Sequence, residues 1–300
     1  MRPDHSRPAR VAAIAVTLLL AISRVAASQS ADGPVIRARA LDPKASIKMF
    51  VTAGSIRIVG WDRDSIVVHG SVAAGEKFYF SGDAQVLKLG IQDHRDDLAP
   101  RPSTLVMYVP RGSTLSIKAV SADIIASDVS GWFYSVSGAI RLSGSSTSVE
   151  AEALSGNITL DVLAPWIRAR TGAGSLLVRG APQDADVSTI SGALDIASPG
   201  ILRGRFTSVS GDIRYAGTLP PGGIFEFSNH GGTVDLLLPA AVAGVFDLTS
   251  VSGDIQNGLT QLRPAAAAGG RGQSLRLNLG RDGSRVTVRT FKGTIRLRPR

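Results

Sequence analysis

Apolar and polar residues alternate along most of this chain with a period of two, and a Ser-Gly step interrupts the alternation at regular intervals. The repeated unit reads apolar, Ser or Thr, Gly, small or acidic, apolar. It occurs as Val136-Ser137-Gly138-Ala139-Ile140, Leu154-Ser155-Gly156-Asn157-Ile158, Ile190-Ser191-Gly192-Ala193-Leu194, Val209-Ser210-Gly211-Asp212-Ile213 and Val251-Ser252-Gly253-Asp254-Ile255. Weaker copies centre on Ala122, Gly174, Gly232 and Gly293. The centres advance by steps of 16, 18, 18, 18, 19, 21 and 21, then 40 residues, the last being two steps. Period-two alternation marks strands with one buried face. Its recurrence about every 20 residues means one coil per repeat, stacked on the next. The pattern therefore predicts an all-β fold, a single-chain parallel β-solenoid (β-helix) with coils of about 18–21 residues over 115–298. Less regular strand candidates over 28–114, among them Ile47–Val51, Ser55–Val59, Ser65–Val68 and Leu105–Val109, form an N-terminal β region that caps it.

Within a unit the apolar parity contains the glycine: Val136, Gly138, Ile140 and Leu142, or Val209, Gly211, Ile213 and Tyr215. The opposite parity is polar, with Ser135, Ser137 and Arg141, or Ser208, Ser210, Asp212 and Arg214. The expected structural turn glycines are Gly138, Gly156, Gly174, Gly192, Gly211, Gly232, Gly253 and Gly293. A side chain at such a bend is expected to strike the neighbouring face of the coil, and glycine also relaxes the φ restriction. The serine before each glycine is expected to bond nearby backbone. Three residues beyond each centre the outward position reads Arg141, Thr159, Leu177, Asp195, Arg214, Asp235, Gln256 and finally Arg296. In-register stacking would line these up, with Arg214 between two carboxylates.

Composition adds compartment and partners. Arg2, Arg7 and Arg10 precede the apolar run Val11–Ile22 and the small residues Val25-Ala26-Ala27, which reads as a secretory signal peptide over 1–27. No later stretch is long enough to span a membrane. Cysteine is absent, which excludes disulfides, thiolate nucleophiles and Cys-based zinc. The net charge of +9 is concentrated in residues 271–300, where nine basic residues face only Asp282. Arg285, Arg289, Arg296, Arg298 and Arg300 share the solvent-facing parity and are expected to form an anion-binding stripe or to protect the last, edge coil. Residues 264–273, rich in Ala and Gly, are expected to be a flexible loop.

Residue chemistry points away from catalysis. His69, His94 and His230 lack metal-ligand spacing, and the serines form no Gly-x-Ser-x-Gly elbow. Asp123, Asp212 and Asp254 occupy equivalent positions on well-separated coils and do not converge on one cation. Asn157-Ile158-Thr159 fits a glycosylation pattern but falls inside a repeat strand. Trp61, Trp132, Phe133, Tyr134 and Trp166 read as fillers of ends and corners, with sugar stacking as the alternative. No catalytic, cofactor or metal residue is assigned.

The strand Gly54-Ser55-Ile56-Arg57-Ile58 followed by Gly60-Trp61-Asp62, the Val109-Pro110 turn, the repeated Val-Ser-Gly-Asp-Ile units and the closing Gly293-Thr294-Ile295-Arg296-Leu297 carry a resemblance. Over about 35–298 the chain resembles the bacterial DUF4097 family of β-strand repeat proteins, whose members are labelled adhesins, and is similar to the head-domain autotransporter adhesins. The resemblance implies a β-helical, exported or envelope-associated protein and transfers no active residue. The expected function is an exported, non-enzymatic adhesin-like or scaffold module in the periplasm, at the surface or secreted. Its expected partner is an anionic envelope polymer or another surface protein, not nucleic acid. A polysaccharide lyase-like β-helix and an envelope-stress signalling accessory are the alternatives.

Overall fold

The computed structural model describes residues 35–92, 101–267 and 271–300; the expected signal segment and His94 lie outside the described residues. Each alternating run forms a strand, and each Ser-Gly step forms the corner joining two strands. Strand Ser130–Ser135, for example, buries Phe133, turns through Ser137 and Gly138, and continues as Ile140–Ser145, which buries Ile140 and Leu142. One coil thus gives one strand to each of two facing sheets, with the apolar core between them.

Stacking is parallel and in register on both sides. Ile140, Ile158, Leu176, Leu194, Ile213 and Val234 pair in turn along one sheet. Phe133, Ala151, Ala169, Val187, Phe206 and Phe227 do so along the other. Among the described residues the sheets have 13 and 14 strands. The fold is an all-β parallel solenoid. No helix among the described residues is long and apolar enough to cross a membrane.

The corner differs from the expected geometry in one respect that matters. Continuous parity would bury Val209 and expose Ser208. Instead Ser135 and Ser208 are fully buried, while Leu154 and Ile190 are each 60% exposed. Two consecutive residues, such as Val209 and Ser210, point outward before Gly211 points in again. This extra outward residue turns the chain by shifting the pleat, so the apolar residue of each unit forms an external ridge.

The glycines are required for a different reason from the one expected. None of the eight corner glycines has a positive φ among the described residues. A β-carbon on Gly211 would run into the carbonyl oxygen of Gly192, and one on Gly192 into that of Gly174. The obstacle is the backbone of the stacked coil, not the facing wall. Glycine here permits close approach of rung to rung.

At both ends the order along the stack departs from the order along the chain. Strands Gly244–Ser250 and Ile255–Asn257 do not follow Ile224–Asn229 and Val234–Leu238 directly. The C-terminal strands Ser284–Thr290 and Ile295–Pro299 are inserted between them. Gly293 accordingly sits between Gly232 and Gly253. The spacing of 40 residues is therefore not two further coils, and the C-terminal strands are interior rather than an edge. The N-terminal end repeats the device. The coil made by Ser46–Val51 and Gly54–Trp61 lies between the later strands Val86–Gln92 and Ser103–Pro110 on one side and Thr114–Ala119 and Asp123–Ser127 on the other.

Antiparallel strands then cover the outer rungs. Ser65–Ser71 pairs with Ser103–Pro110, and Lys77–Gly82 with Val86–Gln92. At the other end Gln273–Leu279 pairs with Gly244–Ser250. Residues 265 and 266, expected to be loop, form a short strand against 273 and 274. Reversing direction ends the parallel stack and blunts its edges.

Candidate interaction faces

Three polar ladders tie the corners together, each present at several of them. The serine before the glycine donates to the preceding coil: Ser137 Oγ to Val120 O, Ser155 Oγ to Val136 O, Ser210 Oγ to Ile190 O, at 3.2–3.4 Å. One residue after the centre of the unit, Asp123, Asn157 and Asp212 accept the backbone N–H of Ala139, Ser175 and Thr233 in the next coil, at 2.7–2.8 Å. Asp123, Asn157 and Asp212 are therefore braces between coils.

The third ladder lies three residues before the glycine and was missed by parity reasoning. Thr171 and Thr189 hydroxyls accept the N–H of Gly174 and Gly192 at 3.1 and 3.0 Å. Ser208 Oγ donates to Gly211 O at 2.8 Å, and Asn229 Oδ1 accepts the Gly232 N–H at 2.8 Å. These residues are buried, so their polar groups must find partners, and the corner backbone supplies them. A polar residue at that offset from nearly every glycine was the available signal.

On the outer face of the 14-stranded sheet, in-register pairing aligns Glu150, Arg168, Asp186, Arg205 and Glu226 in one row. Charges alternate along it. Arg168 lies 3.4 Å from Glu150 and 3.6 Å from Asp186, and Arg205 lies 3.0 Å from Glu226. Arg203 with Asp184 at 2.7 Å and Arg276 with Asp247 at 3.3 Å extend the pairing. The Asp184 carboxylate, hydrogen-bonded to Arg203, raises the guanidinium's pKa.

The expected ladder on the 13-stranded sheet is aligned as read: Asp195 pairs with Arg214 and Arg214 with Asp235 in register. Alignment does not make ion pairs there. Asp235 is instead engaged by Arg298, and Arg296 donates to Gln256 at 3.2 Å. Among the described residues no Asp195–Arg214 pair closes within 4.0 Å.

The expected arginine stripe is not a stripe. Arg285 and Arg289 lie on the 14-stranded sheet, whereas Arg296 and Arg298 lie on the 13-stranded sheet. Arg300 follows the last strand, with its N–H on Leu238 O. The chain turns a corner between Thr290 and Ile295, so the outward positions of the two strands face out from opposite walls.

The aromatics separate likewise. Phe133 is core, and Trp61 packs on Tyr108 with its Nε1 donating to Ser65 O. Arg168 covers Trp166. Trp132 and Tyr134 lie on the outer face of the 14-stranded sheet, their rings stacked at 5.7 Å, at neither an end nor a corner. Beside them Lys118 stands 5.2 Å from the Trp132 ring centre. His69 meets Tyr108 edge-on, and His230 stacks on Phe291 at 4.8 Å. Among the described residues no three His, Asp or Glu side chains are grouped to hold a metal ion.

No family model matches this chain, and no curated protein matches it. Solved structures do. One, described as a "putative adhesin" from Parabacteroides merdae, is 13% identical, aligns over 87% of this chain and 94% of its own, and superposes with a TM-score of 0.51. Another so described, from Bacteroides fragilis, is 12% identical over 88% of this chain and 97% of its own, with a TM-score of 0.44. The first shares this fold.

Proposed function

We propose that this protein is an exported, non-enzymatic interaction module of adhesin type, which works by presenting the outer faces of its two sheets to a partner in or at the cell envelope. The observation that carries this reading is the outer face of the 14-stranded sheet. Equivalent positions of successive coils form continuous rows about 4.8 Å apart, so one binding chemistry can be repeated or varied along a polymer-like surface. The description of the Parabacteroides merdae structure as an adhesin supports the reading by fold.

The test is direct. Purified protein lacking residues 1–27 is incubated with isolated envelope fractions and with anionic polysaccharides. Saturable binding without new reducing ends or unsaturated products is the expected result. Turnover of a polysaccharide, or no saturable binding to any envelope fraction, overturns it.

A further inference from the structure

At the N-terminal end of the 14-stranded face, charge stops alternating. Lys48 and Lys88 are paired directly in register, and Lys118 stands in the next coil beside Phe50. Like charges stacked on neighbouring strands repel. Among the described residues none of the three lysines has a carboxylate within 4.0 Å, whereas the cations of the central row do. Glu150, the carboxylate on the far side of Trp132, is taken by Arg168.

The same three lysines surround an aromatic recess of about 360 Å³, lined by Phe50, Tyr79 and Trp132. Gly90 pairs with Tyr79 and carries no side chain; a β-carbon there would strike the Phe50 carbonyl and crowd the Tyr79 hydroxyl, so glycine at this position lets the Tyr79 side chain take its place beside the recess. Burial raises the Tyr79 pKa, so the phenol stays protonated as a donor. Phe50 is 39% exposed, so its ring is open to a ligand in the recess.

Resting on the reading of this face as a binding surface, we infer that the recess is a subsite for an acidic saccharide. A sugar ring lies on Trp132 and Phe50, and its carboxylate or sulfate group is held among Lys48, Lys88 and Lys118. Aromatic faces accept the C–H side of a pyranose, and ammonium groups that no carboxylate neutralises supply the charge complement. The recess volume is at the low end of the roughly 300–1,000 Å³ that encloses a small ligand, which fits one or two sugar units of a longer chain.

The experiment uses the chain lacking residues 1–27 with Trp61→Phe and Trp166→Phe, leaving Trp132 as the sole tryptophan reporter. Probes are oligogalacturonate, chondroitin sulfate oligosaccharide, neutral maltoheptaose and phosphatidylglycerol vesicles. Oligogalacturonate or the chondroitin sulfate is expected to change Trp132 fluorescence saturably, with affinity falling as salt rises, while maltoheptaose binds at least about tenfold more weakly. Combined Lys48→Gln, Lys88→Gln and Lys118→Gln should weaken binding about tenfold or more at low salt, with a thermal midpoint no lower than that of the parent, since like-charge repulsion is relieved. Trp132→Ala, followed by calorimetry, should weaken it about tenfold even at high salt. Arg285→Gln with Arg289→Gln should leave it unchanged. No binding of either acidic saccharide overturns the proposal, as does equal binding of maltoheptaose or of vesicles. Envelope binding that survives the triple lysine change overturns this subsite while leaving the broader interaction role intact.

Discussion

A single corner distinguishes residues that look interchangeable in the sequence. Gly211→Ala should destabilise by about 2–4 kcal/mol, because the obstructing group is backbone and cannot rotate away. Thr189→Val keeps the shape but strands the Gly192 N–H, and should cost about 1–3 kcal/mol. Ile190→Ser, its neighbour on the exposed ridge, should change stability by less than about 0.5 kcal/mol. Asp212→Ala removes the brace on the Thr233 N–H and should cost about 0.5–1.5 kcal/mol, more than an unattached surface carboxylate. Urea midpoints at constant slope measure all four; equal losses for Thr189→Val and Ile190→Ser would refute the corner geometry. The inward position of the glycines was legible because Ile213 and Tyr215 follow Gly211 at even spacing. The burial of Ser208 was not, because alternation says nothing about where a pleat slips.

Along a strand, pairing partners decide whether charge matters. Double-mutant cycles on Glu150 with Arg168 and on Arg205 with Glu226 should give couplings of about 0.2–1 kcal/mol that shrink with salt. The same cycle on Asp195 and Arg214 should give none, since their alignment brings no ion pair. Coupling there equal to that of Arg205 and Glu226 would contradict the structure. The register of the Asp195–Arg214–Asp235 row was readable from coil length alone. Its chemistry was not, because Arg298 enters from a strand 63 residues away. For the same reason the sequence suggested five arginines in one stripe: parity is a property of one strand, and a corner separates Arg289 from Arg296. A second element, the Asp62–Arg111–Asp128 cluster, joins four strands near the N-terminal end, with Arg111 at 2.9 Å from Asp62 and 3.1 Å from Asp128. The Ser145 N–H and then Arg111 lower the Asp128 pKa. A depressed folded-state pKa contributes stability that is present above the unfolded value, near 3.9, and is lost as pH falls through the folded value. Asp128→Asn should therefore lower stability at pH 7 and flatten its decline below about pH 4; a parallel decline in both proteins would count against it.

For the molecule as a whole, the repeat made the stacked architecture legible, and the ends concealed their exchange of order. Nothing in the composition of Ser284–Pro299 says that it docks between Ile224–Leu238 and Gly244–Asn257, because all three carry the same alternation. Ending the chain at Gly283 removes the strands that join 224–238 to 244–257 and leaves Gly244–Ser250 only its antiparallel partner Gln273–Leu279, so the amides of 244–257 should lose hydrogen-exchange protection while those of 148–196 keep it. Retained protection over 255–257, whose strand partner is Ile295–Pro299, would mean that this strand closes on 234–238 unaided. Exchange at both ends also confines change of length. A coil gained or lost at an end must disturb an interleaved strand, whereas one in the middle need only preserve register. The central row sets a further condition, since its charges repeat every two coils. Excising 166–183 would set Glu150 against Asp186; excising 166–202 would set it against Arg205. Such a solenoid can drift in length only from its interior, and in pairs of rungs more readily than singly.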